Sequence, residues 1–298
     1  MPHLELDDVA ADAAADLVVL LTGGTSGVGR EAALDLASRG ARVEIVGRDR
    51  EAGADVVETA DASPGTVEFH RVDLAEQTAV CDLAARIAGR HDRIDVLAHN
   101  AGLHSASRVE TTDGIELTLA VNHLAPYLLT RELLDRVRAS DHARIVVTAS
   151  GIHRRGTLDF ENLQFERGYG GLDAYSRSKL ANVAFTIELA ERLEGDPVTA
   201  NCFHPGFIPG TRLFREARPW TRYGLRAAAL LPGVGTTART GGRRLVRLAL
   251  SGEFADRSGA YLSGSGVEEP SRAARDPANR RRLWEISAEL VDVDPDWV

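Results

Sequence analysis

From Leu17 onward the chain alternates short aliphatic runs with longer alanine- and leucine-rich stretches, and this rhythm restricts its fold more than any other property. The short runs are Leu17–Thr22, Arg42–Val46, Val67–Val72, Ile94–Ala98, Arg144–Thr148, Val198–Phe203 and a brief Ala260–Leu262. They read as near-continuous apolar segments, the pattern of strands buried on both faces in a helix-covered parallel sheet. Between them, Gly27–Arg39, Glu76–Arg90, Thr112–Arg138 and Ala174–Leu193 place apolar residues at three- and four-residue intervals, which is the helical period. The alternation predicts an α/β fold: a doubly wound parallel sheet of about seven strands with helices on both faces.

The 298 residues suffice for one such domain or two small ones. No repeat, linker or compositional shift marks a second domain, so one domain is expected over 17–290, with an N-terminal extension at 1–16 and an acidic tail at 291–298. Two segments interrupt the rhythm. One is 151–172, with Gly156, Gly168, Gly170 and Gly171; the other is 207–235, with Pro209, Pro219, Pro232, Phe207, Phe214, Trp220 and Tyr223. Long irregular insertions in a compact α/β domain are often binding loops or lids, so both are expected to contact substrate.

Charge and cysteine usage exclude several classes. With 35 Lys+Arg against 44 Asp+Glu the net charge is −9, which argues against a sequence-independent hold on nucleic acid and against anionic membranes. Cys81 and Cys202 form no C-x-x-C, so neither a disulfide framework nor a zinc cage is indicated, and a reducing cytoplasm is expected. The apolar runs fall short of the ~20 residues that a membrane span needs. Residues 1–16 carry no basic segment ahead of an apolar one, so neither a secretory signal nor a membrane anchor is expected.

After the first strand comes Thr22-Gly23-Gly24-Thr25-Ser26-Gly27-Val28-Gly29-Arg30, running straight into a helix. Glycines at 23, 27 and 29 allow a tight turn whose backbone can approach a pyrophosphate, and the helix N-terminus offers unpaired N–H groups and a positive dipole end. Its place between the first strand and first helix of a βαβ unit is the context that a dinucleotide site requires. Arg30-Glu31 stands where a nucleotide triphosphatase needs Lys-Ser/Thr. The second strand ends in Gly47-Arg48-Asp49-Arg50. Gly47 occupies the place of the acid that accepts from the adenosine ribose in NAD-binding sheets, and the Arg48 guanidinium suits a 2′-phosphate. NADP(H) is therefore favoured, with NAD(H) as the alternative if Asp49 serves the ribose one residue late.

Tyr175-Ser176-Arg177-Ser178-Lys179 opens a helical stretch, with Tyr175 and Lys179 on one face a turn apart. A free phenol has a pKa of about 10, too high for efficient proton exchange near neutrality, so an adjacent ammonium is useful. The order of segments raises the significance of this pair: a cofactor turn, a strand ending in Thr148-Ala149-Ser150, then the Tyr/Lys helix.

Together with Val72-Asp73-Leu74, Asn100-Ala101-Gly102, Val121-Asn122-His123-Leu124, His204-Pro205-Gly206 and Arg282-Leu283-Trp284-Glu285, these motifs resemble the short-chain dehydrogenase/reductase superfamily from Leu17 to about Leu290. The segment 156–164 and the tail motif resemble its retinol-dehydrogenase-like and protochlorophyllide-reductase-like branch. The resemblance implies a Rossmann-type fold and roles for named residues. Tyr175 would be the general acid/base, and Lys179 would lower its pKa and hold the nicotinamide ribose. Ser150 would hydrogen-bond the reacting oxygen, and Asn122 would support a water leading protons to Lys179. Gly23, Thr25, Ser26, Gly27, Val28, Gly29, Arg48, Asp73, Leu74, Asn100, Ala101, Gly102, Pro205, Gly206 and Thr211 would join Tyr175 and Lys179 in binding the cofactor. It also implies homo-oligomers formed through the helices in Thr112–Arg138 and Ala174–Leu193, although the branch includes monomers. Ala149-Ser150 departs from the more usual paired serines, and Met1–Asp16 lacks the anchor of animal retinoid enzymes.

The expected function is NADP(H)-dependent interconversion of an alcohol and a carbonyl on a bulky hydrophobic substrate. Carbon–carbon double-bond reduction, redox-neutral epimerisation and a non-catalytic NADP(H)-binding regulator stand as alternatives. His99, His104, His123, His153 and His204 show no metal-ligand spacing, no metal is expected, and only His153 falls near the expected substrate. Arg212, Arg215, Arg218, Arg222 and Arg226 read as a solvated face, Trp284 as a core residue, and Asp292, Asp294 and Asp296 as a solvated tail.

Overall fold

The first strand, β1 (Val18–Thr22), is buried at every position, so its alternate side chains enter two different cores. Leu20 belongs to one core cluster while Val19 and Leu21 belong to the other. This computed structural model describes residue 9 and residues 13–208, 235–264 and 266–298. Around β1 the chain runs through α1 (Gly27–Ser38), β2 (Arg42–Gly47), α2 (Arg50–Ala60), β3 (Thr66–Arg71), α3 (Gln77–Ala88) and β4 (Val96–His99). The second half adds a single turn α4 (Leu117–Leu119), α5 (Ala125–Arg138), β5 (Ala143–Thr148), α6 (Gly171–Arg192), β6 (Val198–Phe203) and α7 (Ala238–Leu250). It closes with β7 (Tyr261–Ser263), β8 (Gly266–Glu268), α8 (Arg272–Arg275) and α9 (Pro277–Leu290).

The strands form one eight-stranded sheet in the order β3-β2-β1-β4-β5-β6-β7-β8. Every pairing is parallel except that of β7 with β8. The order reverses between β1 and β4, and such a switch point opens a ligand crevice outside the carboxyl ends of the strands. The doubly wound sheet is as expected, but it has eight strands rather than about seven. β8 is a three-residue edge strand on the far side of a tight turn, too short for a period-two pattern to register.

One core lies between the sheet and α1, α2 and α7; the other lies between the sheet and α3, α5, α6 and α9. Two glycines bring α7 onto α1: a Cβ at Gly241 would lie 2.8 Å from Val28 Cγ2, and one at Gly242 2.9 Å from Glu31 Cβ. This contact sets α7 against the glycine-rich turn.

Helix boundaries differ from the periodic pattern where polar side chains intervene. Thr112–Arg138 is not one helix: Glu116, almost wholly buried, accepts from the N–H groups of Thr118 and Leu119 and so starts the helix at Leu117. Residues Ala120–Leu124 then form a wider π-type turn before α5. Trp284 is buried as expected and stacks between Phe185 and Trp297, at centroid distances of 5.9 and 4.8 Å. Asp292, Asp294 and Asp296 are exposed, yet the tail around them docks, because Trp297 Nε1 donates to Tyr127 and Trp284 Nε1 to the Pro295 carbonyl. No helix among the described residues is long and apolar enough to cross a membrane.

Candidate active site

The carboxyl ends of β1, β4 and β5 are joined by the side chains of Thr22, Asn100 and Thr148, a bridging role that the sequence did not reveal. Thr22 Oγ1, at the end of β1, accepts from the N–H groups of Asn100 (3.0 Å) and Ala101 (3.1 Å). Asn100 Nδ2 donates to the carbonyls of Thr22 and Gly23, and its Oδ1 accepts from Thr148 Oγ1 at the end of β5. Two threonines and one asparagine thereby fix the floor of the crevice.

The glycine-rich turn sits directly on this floor. A Cβ at Gly23 would lie 2.8 Å from the Ala101 Cα, and one at Gly29 only 2.2 Å from the Gly23 carbonyl oxygen, so neither position admits a side chain. Gly27 has a φ of +56° and nothing within 4 Å of where a Cβ would stand, so its backbone borders open space at the start of α1. Ser26 caps that helix in extended conformation without a side-chain bond, leaving the first amides of α1 facing the same opening. Thr25, Ser26 and Val28 belong to this turn, and Val28 is held beneath it by Gly241. An open cradle of uncapped amides against small residues fits a pyrophosphate.

At the end of β2, Gly47 meets Thr25: a Cβ there would lie 2.7 Å from Thr25 Cγ2. A side chain there would have to push the Thr25 methyl aside. Asp49 N-caps α2, accepting from Ala52 N–H at 3.1 Å, and so is already engaged. Arg48 and Asp73 face each other at 3.5 Å, both substantially exposed. Asp73 also accepts from Ala75 N–H, beside the buried Leu74. Arg71, unnoticed in the sequence, ends β3 opposite Gly47 and donates to the Arg48 carbonyl.

Tyr175, Lys179, Ser150 and Asn122 converge on the other side of the crevice. Tyr175 and Lys179 lie on α6, both buried, with the Lys179 Nζ 5.8 Å from the Tyr175 ring centre. Burial pushes the Tyr175 phenol above its ordinary value, and a hydrogen bond with Ser150 pulls it back down. Burial also lowers the Lys179 amine to about 8. A Cβ on Gly102 would stand 3.4 Å from both Lys179 Nζ and Asn122 Oδ1, so Gly102 keeps the space between them open.

The Asn122 side chain is fully used: Oδ1 accepts from Leu103 N–H at 2.8 Å, and Nδ2 donates to the Leu103 carbonyl and Ser178 Oγ. Ser178 in turn donates to the Tyr175 carbonyl, which ties the π-type turn to α6. The residue four beyond Asn122 is Pro126, which has no N–H, so the Asn122 carbonyl lacks its ordinary helical donor. That signal was in the sequence.

Arg177, inside the Tyr/Lys motif, is buried and turned away from the crevice. It donates to the carbonyls of Thr157, Asn162 and Leu163, and its guanidinium lies 3.7 Å from the Phe165 ring centre. The 151–172 insertion is thereby clamped to the catalytic-motif helix. His153 is no substrate contact: wholly buried, it holds the Ser150 carbonyl with Nδ1 at 2.7 Å and accepts from Ser271 N–H with Nε2. Burial lowers its pKa, and the Ser150 carbonyl opposes that shift. Pro205 and Gly206 border the crevice beyond β6; Gly206 has a φ of +97° and abuts Thr236. Thr211, the arginines from Arg212 to Arg226 and most of the 207–235 insertion lie outside the described residues.

Comparison with known proteins agrees with this arrangement. The family model for short chain dehydrogenases matches residues 17–222. The chain is 40% identical over 280 residues to bovine (Bos taurus) dehydrogenase/reductase SDR family member 13, covering 93% of this chain and 73% of the relative. It is 37% identical over 279 residues to human (Homo sapiens) retinol dehydrogenase 12, covering 93% and 86%. Among solved structures, the Pseudomonas aeruginosa RhlG/NADP active-site complex superposes with a TM-score of 0.69 at 25% identity, covering 86% of this chain and 98% of that one. The chain belongs to the short-chain dehydrogenase/reductase family, in its retinol-dehydrogenase-like branch, and is an oxidoreductase.

Proposed function

We propose that this oxidoreductase interconverts an alcohol and a carbonyl on a bulky hydrophobic substrate with NADP(H), using Tyr175 as general acid/base. The observation that carries the reading is the convergence of Tyr175, Ser150 and Lys179 in one buried corner of the crevice. Bound nicotinamide would supply or accept the hydride. The turn Gly23–Gly29 would hold the pyrophosphate with backbone amides, while Asn100, Ala101 and Gly102 line the adenine-ribose side and Pro205 and Gly206 the nicotinamide side. Arg48 would pair with a 2′-phosphate, and Asp73 and Leu74 would border the adenine. A glycine at position 47, where an NAD-binding sheet places its acid, supports NADP(H) over NAD(H), as does the structural similarity to an NADP complex.

In reduction, Tyr175 gives its proton to the developing alkoxide while the Ser150 hydroxyl donates to the same oxygen. Lys179, charged and close to the phenol, favours the phenolate that remains. The Asn122 carbonyl, which has no i+4 donor at Pro126, would hold a water through which Lys179 regains contact with solvent protons. The apolar and aromatic content of 207–235 supports a hydrophobic substrate, as do relatives named retinol dehydrogenases.

The test is Tyr175→Phe, assayed by NADPH consumption with hydrophobic aldehydes and ketones and by NADPH fluorescence titration. Turnover should be lost while NADPH affinity changes by less than about threefold. Retained turnover would overturn the role given to Tyr175.

A further inference from the structure

On the opposite flank of the sheet from the Tyr/Lys corner, β2 and β3 bury an acid against two imidazoles. Glu44 and Glu68 are register partners on adjacent parallel strands, so their carboxylates stand side by side. His70 follows Glu68 by two residues and points to the same face. Glu44 is 4% exposed and His70 8%. His70 Nε2 lies 2.5 Å from one Glu44 oxygen, and His91 Nε2, just beyond α3, lies 2.7 Å from the other. Arg90 completes the group, touching Glu68 and approaching Glu44 at 3.9 Å.

Charge defines what this cluster lacks. Two carboxylates, Glu44 and Glu68, face a single guanidinium, that of Arg90. The buried Glu44 carboxylate has its only guanidinium 3.9 Å away on a half-exposed side chain, so a cation seated between the two carboxylates would be favourably placed. One ligand atom each from Glu44, Glu68 and His70 lies within 4.8 Å of the others. Two carboxylate oxygens and one imidazole nitrogen form a donor set suited to Zn²⁺, whose ligands sit at about 2.0–2.2 Å. Tetrahedral placement around such an ion needs ligand separations of about 3.4 Å, so the His70–Glu44 contact must open by about 1 Å. His91, donating to the second Glu44 oxygen, would orient that carboxylate as hydrogen-bonded partners of metal ligands commonly do. Glu68 and Arg90 are both about half exposed, which gives an ion its entry path and lets the arginine swing into solvent.

We propose that Glu44, Glu68 and His70 form a Zn²⁺ site, with His91 orienting Glu44, that clamps the edge strand β3 to β2 and to the end of α3. His70 Nε2 carries no proton in the bound state, and solvent completes the coordination. The ligands come from two strands, which is why spacing along the chain does not reveal them. The site is separate from the cofactor crevice, so its test does not depend on catalysis.

Chelator-treated full-length protein is titrated with ZnCl₂ by calorimetry and with CoCl₂ by visible absorption. One ion per chain at micromolar or tighter Kd is expected, with an unfolding midpoint raised by about 5 °C at a hundredfold excess over Kd. Cobalt should give the visible bands of a low-coordinate nitrogen/oxygen site. Glu68→Gln, at a half-exposed position that folding tolerates, should weaken binding at least tenfold, and His70→Gln should abolish it. Arg90→Gln should tighten binding several-fold, because it removes the competing cation. Absence of saturable binding, or binding unchanged in Glu68→Gln, overturns the proposal. So does an Arg90→Gln variant that loses stability without gaining affinity, since the cluster is then an ion-pair network only.

Discussion

The Lys179 ammonium donates to the Thr148 carbonyl across 2.8 Å, which pins the helix bearing Tyr175 to the carboxyl end of β5. The same burial that makes this bond possible lowers the amine to about 8. An unfolded chain keeps the lysine proton to about pH 10.4. Below pH 8 both states are charged, and the folded one bears the full desolvation cost, ~3 kcal/mol. That cost is lost as pH rises from about 8 to 10.4. Urea unfolding at about pH 7.5 and pH 10 should therefore show the wild type gaining stability relative to Lys179→Met. Under the proposed mechanism, kcat should fall around pH 8, where the folded lysine loses its charge.

Under the proposed function, Arg48 carries the cofactor preference. Replacing it with Asp should raise the Kd for NADPH by about 10–100-fold and that for NADH by less than about threefold, the scale of one charge-assisted phosphate contact. Fluorescence titration with both cofactors measures the difference. Equal losses would assign Arg48 to the loop and not to the 2′-phosphate.

Gly29 is where the turn tolerates least. A methyl group there would fall 2.2 Å from the Gly23 carbonyl oxygen and 2.5 Å from Asn100 Nδ2. Gly29→Ala should cost about 1–3 kcal/mol in chemical denaturation. NADPH binding should weaken at least tenfold, because the distortion moves Asn100 and the α1 amides together.

Arg177 positions the 157–165 segment from within the Tyr/Lys motif. Arg177→Met removes its bonds to three carbonyls and should raise the substrate KM about tenfold, with kcat within about threefold of wild type. Lysine at this position should recover only part of the loss, since it lacks the planar fork that serves several carbonyls at once. A fall in kcat alone would place Arg177 in the chemistry.

Trp297 closes the helical layer over α5 and α6. Trp297→Ala should lower stability by ~2 kcal/mol through lost stacking on Trp284 and a lost bond to Tyr127, with turnover per folded molecule unchanged. Sedimentation should show the variant self-associating more than the wild type, because the chain's own C-terminal segment covers the α5/α6 face through which related enzymes are expected to pair. Denaturant curves and sedimentation together check this.

The sequence by itself determined the doubly wound sheet apart from its eighth strand, the glycine-rich turn and the placing of Tyr175 and Lys179 on one helix. Each is local: a strand buried on both faces must be apolar throughout, a turn crowded by neighbouring backbone must be glycine, and an i,i+4 pair must share a helix face. The tertiary structure decided what depends on residues far apart in the chain. Thr22, Asn100 and Thr148 form the crevice floor only because β1, β4 and β5 lie side by side. His153 turned out to be a buried prop for Ser150 because Ser271, more than a hundred residues later, donates to it. Glu44 gained its imidazole partners from the next strand and from beyond a helix, a meeting that no spacing within one segment encodes.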